Sequence, residues 1–480
     1  MNNYVHPNSA RCDKSEIDLF DIPSTQLSLE KGRWIDYHAL SSVENDDGPI
    51  TFLIAGTEDY IDMSKMILVI ELKMTKSDGT PLGGNEQSSV APINNFLHSL
   101  FKQVDVYLNG KQVTPAMGTY AYRAYLETLL NYDVSAKQSQ LTSALYYKDT
   151  PGHMDSTGSL PTEESVTVVT GHTKSSSNIW NAPTTKTLKY LVPGSGNQGF
   201  AKRHKFIQDG KLLVMAGPIF CDAFMTERLL LSMVDLKVIL NRNSDKFCLV
   251  DKNNVVMNAK VKLVDATLKV RKVKVNDTVS KAHEMTLRSV PATYPIRRVE
   301  CKAFTIPGNL PQIRKDNMFA GIIPKTFICG FVEADAFSGV YGKNPYNFQH
   351  FNVSSVTLTA NGEEIPFKQL VLNHKENKEN FIQAYNTLFS GTGKMNMNTG
   401  LDIDREDYFK GFTLYAWDLT PDMCGVSPYF NTVQRGSLTL DITFAAGDVP
   451  TNPISLVCYG DFENIIQIDA ERNVMYDISS

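Results

Sequence analysis

Apolar and polar positions alternate in short runs along most of the chain. Leu68, Ile70, Leu72 and Met74 alternate with Val69, Glu71, Lys73 and Thr75. Leu236, Val238 and Leu240 alternate with Asp235 and Lys237, and Leu438, Leu440, Ile442 and Phe444 with Thr439, Asp441 and Thr443. A period of two marks half-buried strands, because successive side chains leave opposite faces. The runs are bounded by Gly, Pro, Asn and Asp, and helical periodicity is rare. Many strands without long intervening helices predict an all-β chain of sandwiches or jelly rolls, not a doubly wound sheet.

The pattern also repeats. Asn95-Phe-Leu-His98, followed by Val104, Val106 and Asn109-Gly110, returns as Asn347-Phe-Gln-His350, Val356, Leu358 and Asn361-Gly362. The offset is 252 at both ends (347 − 95 and 361 − 109), so no gap is needed. Asn-Gly between alternating residues predicts a type I′ hairpin, since both turn positions need positive φ. A helical stripe follows each hairpin: Tyr122, Tyr125, Leu126, Leu129, then Phe381, Ala384, Tyr385, Leu388. A hairpin and a short helix, twice over, imply two copies of one β domain.

The division expected is an N-terminal arm over 1–20, a first domain over 21–284 and a second over 285–480, joined within Ser280–Arg288. The first carries a polar insertion over about 148–199, rich in Ser, Thr, Gly and Pro. It reads as long surface loops with a strand at Lys186–Val192.

Composition narrows the function classes. The 480 residues are 42% hydrophobic and 21% charged, which is globular, and the net charge of −5 gives no bulk attraction for phosphates. No charge-free apolar run is long enough to span a bilayer; Leu212–Cys221 comes nearest and contains a proline. The first residues lack a basic and apolar leader. A soluble protein of a reducing compartment is expected, with its seven scattered cysteines (Cys12, Cys221, Cys248, Cys301, Cys329, Cys424, Cys458) as buried thiols.

Longer strings carry a resemblance. Ile17-Asp-Leu-Phe-Asp21, Trp34-Ile-Asp-Tyr-His38, Asp59-Tyr-Ile-Asp62, the run from Asn95 to Gly110 and Tyr122-Arg-Ala-Tyr-Leu-Glu-Thr-Leu-Leu-Asn-Tyr132 resemble the hexon-like major capsid proteins of Polinton/Maverick elements and adintoviruses. Ile306-Pro-Gly-Asn309, the second hairpin, the Tyr385 helix and Phe412-Thr-Leu-Tyr-Ala-Trp-Asp-Leu-Thr420 continue it. The resemblance implies a double jelly roll: two tandem eight-stranded rolls with a few short helices and long surface loops. It implies a homotrimer with a pseudo-hexagonal outline, tiling an icosahedral virion capsid beside neighbouring capsomers and a penton protein. The insertion would project outward as a turret.

Candidate chemistry is sparse. Gly194-Ser-Gly196-Asn-Gln-Gly199 has G-x-G-x-x-G spacing, but no βαβ unit surrounds it and no apolar helix is expected to start there. Ser390-Gly-Thr-Gly-Lys394 lacks the first glycine and the hydroxyl of a phosphate loop. The nine histidines occur singly, without zinc spacing, and no G-x-S-x-G elbow exists. His98 and His350, at equivalent repeat positions, are expected to share a structural hydrogen bond. No cofactor, metal or catalytic residue is expected.

Two basic stretches stand out: Lys202-Arg-His-Lys205, and Lys260, Lys262, Lys269, Arg271, Lys272 and Lys274 around Asp265. The second set is the candidate for facing packaged DNA through phosphate contacts. The alternative function is a jelly-roll carbohydrate-binding module using Trp180 and Tyr190; a metal-dependent or hydrolytic enzyme is a third reading without a supporting motif.

Overall fold

The computed structural model describes residues 8–9, 15–17, 19–20, 22–41, 48–82, 89–171, 184–192, 194–251, 259–319, 321–365, 368–374 and 380–476. In the first half the strands are β1 (Leu29–His38), β2 (Ile50–Ile54), β3 (Tyr60–Thr75), β4 (Val90–Pro92), β5 (Phe101–Leu108), β6 (Lys111–Gln112), β7 (Thr162–Gly171), β8 (Thr184–Val192), β9 (Leu213–Gly217), β10 (Leu236–Arg242), β11 (Leu249–Asp251) and β12 (Lys260–Val275). The helix Asp277–Leu287 then leads to β13 (Ala292–Ile306), β14 (Gln312–Lys315), β15 (Thr326–Glu333), β16 (Val353–Ala360), β17 (Glu363–Glu364), β18 (Leu370–Val371), β19 (Leu414–Asp418), β20 (Leu438–Phe444), β21 (Ile454–Ile468) and β22 (Val474–Met475).

The strand orders are the same in the two halves. The first pairs β1-β12-β3-β9 and β2-β10-β5-β6; the second pairs β13-β21-β15-β19 and β14-β20-β16-β17. In each, the first main strand pairs the last and the second pairs the last but one, which is the wrapping of a jelly roll. Register follows the alternation: Leu236, Val238 and Leu240 of β10 lie opposite Leu108, Val106 and Val104 of β5, all six buried. The all-β expectation is met, and both Asn-Gly turns form. Asn109 and Gly110 have φ of 45° and 78°, Asn361 and Gly362 of 53° and 89°, the left-handed pair that type I′ demands.

The insertion is more ordered than its composition suggests. β7 and β8 pair antiparallel from Thr162↔Val192 to Gly171↔Thr184, so the expected strand has a partner within the insertion itself. A short helix, Gln198–His204, begins at the G-x-G-x-x-G residues, but it is basic (Lys202, Arg203, His204), not the apolar helix a dinucleotide fold needs. Its start is capped from within the chain, the Asn197 side chain accepting from the Phe200 N–H.

Two apolar cores result, and the halves share them. Tyr294, Ile296, Ile466 and Ile468 of the second half join the first core, whereas Tyr122, Tyr125, Leu126 and Leu129 of the first half join the second. The predicted stripe of the helix Tyr120–Asn131 therefore faces the other roll. The stripe of the helix Ile382–Gly391, preceded by Phe381, stays with its own.

Candidate functional site

Among the described residues the best-defined candidate site is the seam between the two rolls. Tyr125 stacks on Tyr346 with ring centroids 4.0 Å apart and planes 1° from parallel, and the Tyr122 hydroxyl donates to the Pro345 carbonyl at 3.0 Å. From the same helix a largely buried ionic chain crosses to the second roll. Arg123 contacts Glu127 at 3.0 Å and Asp222 at 2.6 Å; Asp222 accepts from the Val299 N–H at 3.2 Å; Tyr459 donates to Glu127 at 3.3 Å; Arg297 holds Asp461 at 2.6 Å. Burial pushes Asp222 up to about 6, against the pull of Arg123. A second buried set joins Arg203, Asp149, Asn197 and Asn344, the last from the second roll. Burying so many charges gains little net stability over an apolar seam, but it punishes any misaligned docking.

The candidate DNA-facing residues separate into two groups. β12 lies inside its sheet between β1 and β3, so acids from both neighbours reach it. Lys269 pairs with Asp36 at 2.9 Å, Arg271 with Asp62 at 2.7 Å and Lys274 with Glu30 at 3.0 Å. Lys272 is buried, its ammonium donating to the Ala55 carbonyl and Thr57 hydroxyl. Lys260 and Lys262 are exposed at the other end of the strand, with Lys262 directly opposite exposed Lys73 of β3. The other basic stretch is divided too, because Arg203 is buried on Asp149 and the Tyr147 carbonyl.

The repeated histidines do not share a bond. His98 is buried, 3.1 Å from the Tyr120 hydroxyl and edge-on to Phe220, and burial lowers it to about 3. His350 accepts from the Asn352 N–H and stacks on His374 at 4.3 Å. In the first half Tyr120, at the start of the helix Tyr120–Asn131, reaches His98, whereas His350 meets a local backbone N–H and a second imidazole. Gly194 and Gly196 serve packing: a Cβ at either would lie about 2 Å from the Ser159 or Thr157 carbonyl oxygen. Gly391 closes the helix against Ala416, and Gly393 turns with φ of 65°. Among the described residues no group of three or more His, Cys, Asp or Glu is placed to hold a metal. Five described cysteines are buried and Cys424 is half-buried; Cys12 lies outside the described residues. Trp180 also lies outside them, and Tyr190 pairs with Glu164 across the β7–β8 ladder. No described helix is long and apolar enough to cross a membrane.

Comparison with known proteins fits this geometry. No family model matches the chain. Over 465 residues it is 24% identical to an uncharacterized protein of Caenorhabditis elegans, covering 95% of this chain and 99% of that one. Solved structures match from end to end. A chain of the Sputnik virophage has a TM-score of 0.60 at 10% identity, covering 100% of this chain and 94% of its own. The PBCV-1 virus capsid gives 0.56 at 11%, covering 95% and 99%, and the Faustovirus major capsid protein 0.54 at 9%, covering 94% and 92%. The fold is a double jelly roll.

Proposed function

We propose that this chain is a major capsid protein, the structural subunit of pseudo-hexagonal homotrimeric capsomers in the icosahedral shell of a double-stranded DNA virus or virus-like mobile element. The observation that carries the reading is the pair of rolls with identical strand order in one chain, matched over nearly their whole length by virus capsid chains. Two rolls per chain let three chains present six lobes, which tile a triangular facet with one kind of subunit. The quoted strings favour the Polinton/Maverick and adintovirus kind, and the end-to-end nematode relative favours an element carried in an animal genome.

The role needs no catalysis. Its partners are two further copies, neighbouring capsomers, a penton protein at the vertices and DNA along the inner face. Lys260 and Lys262, with Lys73, are the members of the basic set we assign to DNA. Electron microscopy of the expressed protein tests the reading together with sedimentation, where a trimer of 53.5 kDa chains sediments at about 160 kDa. A stable monomer across micromolar concentrations overturns it.

A further inference from the structure

The seam inside one chain is a template for the contact between chains. Each roll has a sheet edge at its first strand, β1 or β13, and a loop joining its sixth and seventh main strands, residues 218–235 or 419–437. Within the chain the first loop covers the second edge. Val299 N–H donates to Asp222, Arg228 donates to the Thr293 carbonyl, and Leu231 N–H donates to the Tyr294 hydroxyl at 3.0 Å. Ile219, Phe220, Phe224, Leu230 and Leu231 of that loop are buried.

Among the described residues the complementary pair is left uncovered. β1 pairs, among the described residues, with β12 on one side only, and it is exposed on both faces from Leu29 through Trp34. Trp34 is 50% exposed, and the approach to the strand adds Ile22 and Leu27 at 88% and 74%. The second loop is one residue longer than the first, yet Met423, Val426, Tyr429, Phe430 and Val433 are 46–66% exposed. Phe430 and Val433 wall a groove of about 820 Å³ with Ile465 and Met475. An open sheet edge and a contiguous apolar loop are each aggregation hazards unless something seats on them.

We propose that β1 of one copy seats against loop 419–437 of the next, repeating between chains the contact that loop 218–235 makes with β13 within one. The occupant is thus a second copy of this chain, docked head to tail. Such a contact has different surfaces on its two sides and leaves no free end only when the ring closes. The inference rests on the capsomer reading and names the surfaces that build it.

Two charge insertions at exposed positions test it. Trp34→Asp spoils the edge and Val426→Asp the loop; Leu27→Asp and Val433→Asp are second choices should either fail to fold by circular dichroism. Each variant alone weakens self-association at least ~100-fold and sediments as a monomer. Mixed in equal amounts, the two give a heterodimer and no larger species, because one intact edge meets one intact loop. Variants that stay trimeric, or a mixture that stays monomeric or regains full trimers, overturn the contact while the capsomer reading stands. A wild-type chain that is itself monomeric overturns the capsomer reading instead.

Discussion

Asn109 and Asp235 hold each other twice: the Asn109 N–H donates to the Asp235 carbonyl at 2.9 Å, and the Asn109 side-chain oxygen accepts from the Asp235 N–H at 2.7 Å. Asn361 and Ser437 repeat the arrangement in the second roll, with both bonds at 3.0 Å. Each turn is thereby tied to the strand beside it. Asn109→Ala loses this side-chain bond and the one its Nδ2 donates to the Arg472 carbonyl, and forces alanine into a left-handed conformation, about 2 kcal/mol in all. Asn109→Gly keeps the backbone and loses about half as much. Urea midpoints compare them, and equal losses would refute the conformational part.

Acid should loosen the first roll through His98. Its folded value near 3 lies below the ordinary 6.5, so below pH 6.5 the unfolded chain takes up a proton that the folded chain refuses. Stability from this residue is complete above pH 6.5 and falls by about 1.4 kcal/mol per pH unit toward pH 3. His374, lowered to about 4 by burial and by His350, adds in the same direction. In His98→Gln the slope of melting temperature against pH between 6.5 and 5 becomes shallower; an unchanged slope removes His98 as the cause.

The ionic seam gives a non-additive prediction. Arg123→Met strands Asp222 and Glu127 in the core and costs about 3–5 kcal/mol. Adding Asp222→Leu relieves part of that loss, so the double variant melts above the single one. A double variant that melts lower by the sum of both losses shows that the charges act independently.

The basic row divides by location. Lys260→Gln with Lys262→Gln leaves assembly intact, lowers DNA retention in particles and reduces the salt dependence of DNA binding by about two charges. Lys269→Gln, held by exposed Asp36, changes stability by less than about 1 kcal/mol and leaves DNA content alone. Unchanged DNA content in the first variant sinks the assignment.

What could be seen in the sequence was what neighbouring residues decide. The Asn-Gly turns, the strand alternation and the two helical stripes are local, and they appear where the periodicity puts them. The partners of the basic row are not local: Asp36 and Asp62 reach Lys269 and Arg271 across 233 and 209 residues, through strand pairing that no local pattern encodes. Arg123 and Asp222, 99 residues apart, were invisible for the same reason. An Arg and a Glu four apart on an otherwise apolar helix was the available signal. The apolar residues at 423–433, lacking strand alternation, were a signal as well.

The wrapping of the rolls also sets an order in time. Leu29 lies opposite Val275, so the first roll cannot close until residue 275 has been synthesised, before the first strand of the second roll exists. Ala292 lies opposite Ile468, so the second roll waits for nearly the whole chain. Domains generally fold as units during synthesis, N-terminal first. A first roll with its own strands paired and its 218–235 loop in place is therefore there to receive β13, whose Tyr294 and Ile296 complete its core. Among the described residues nothing plays that part for β1; if a second copy shelters it, as proposed above, the concentration of newly made subunits sets how long that edge stays bare.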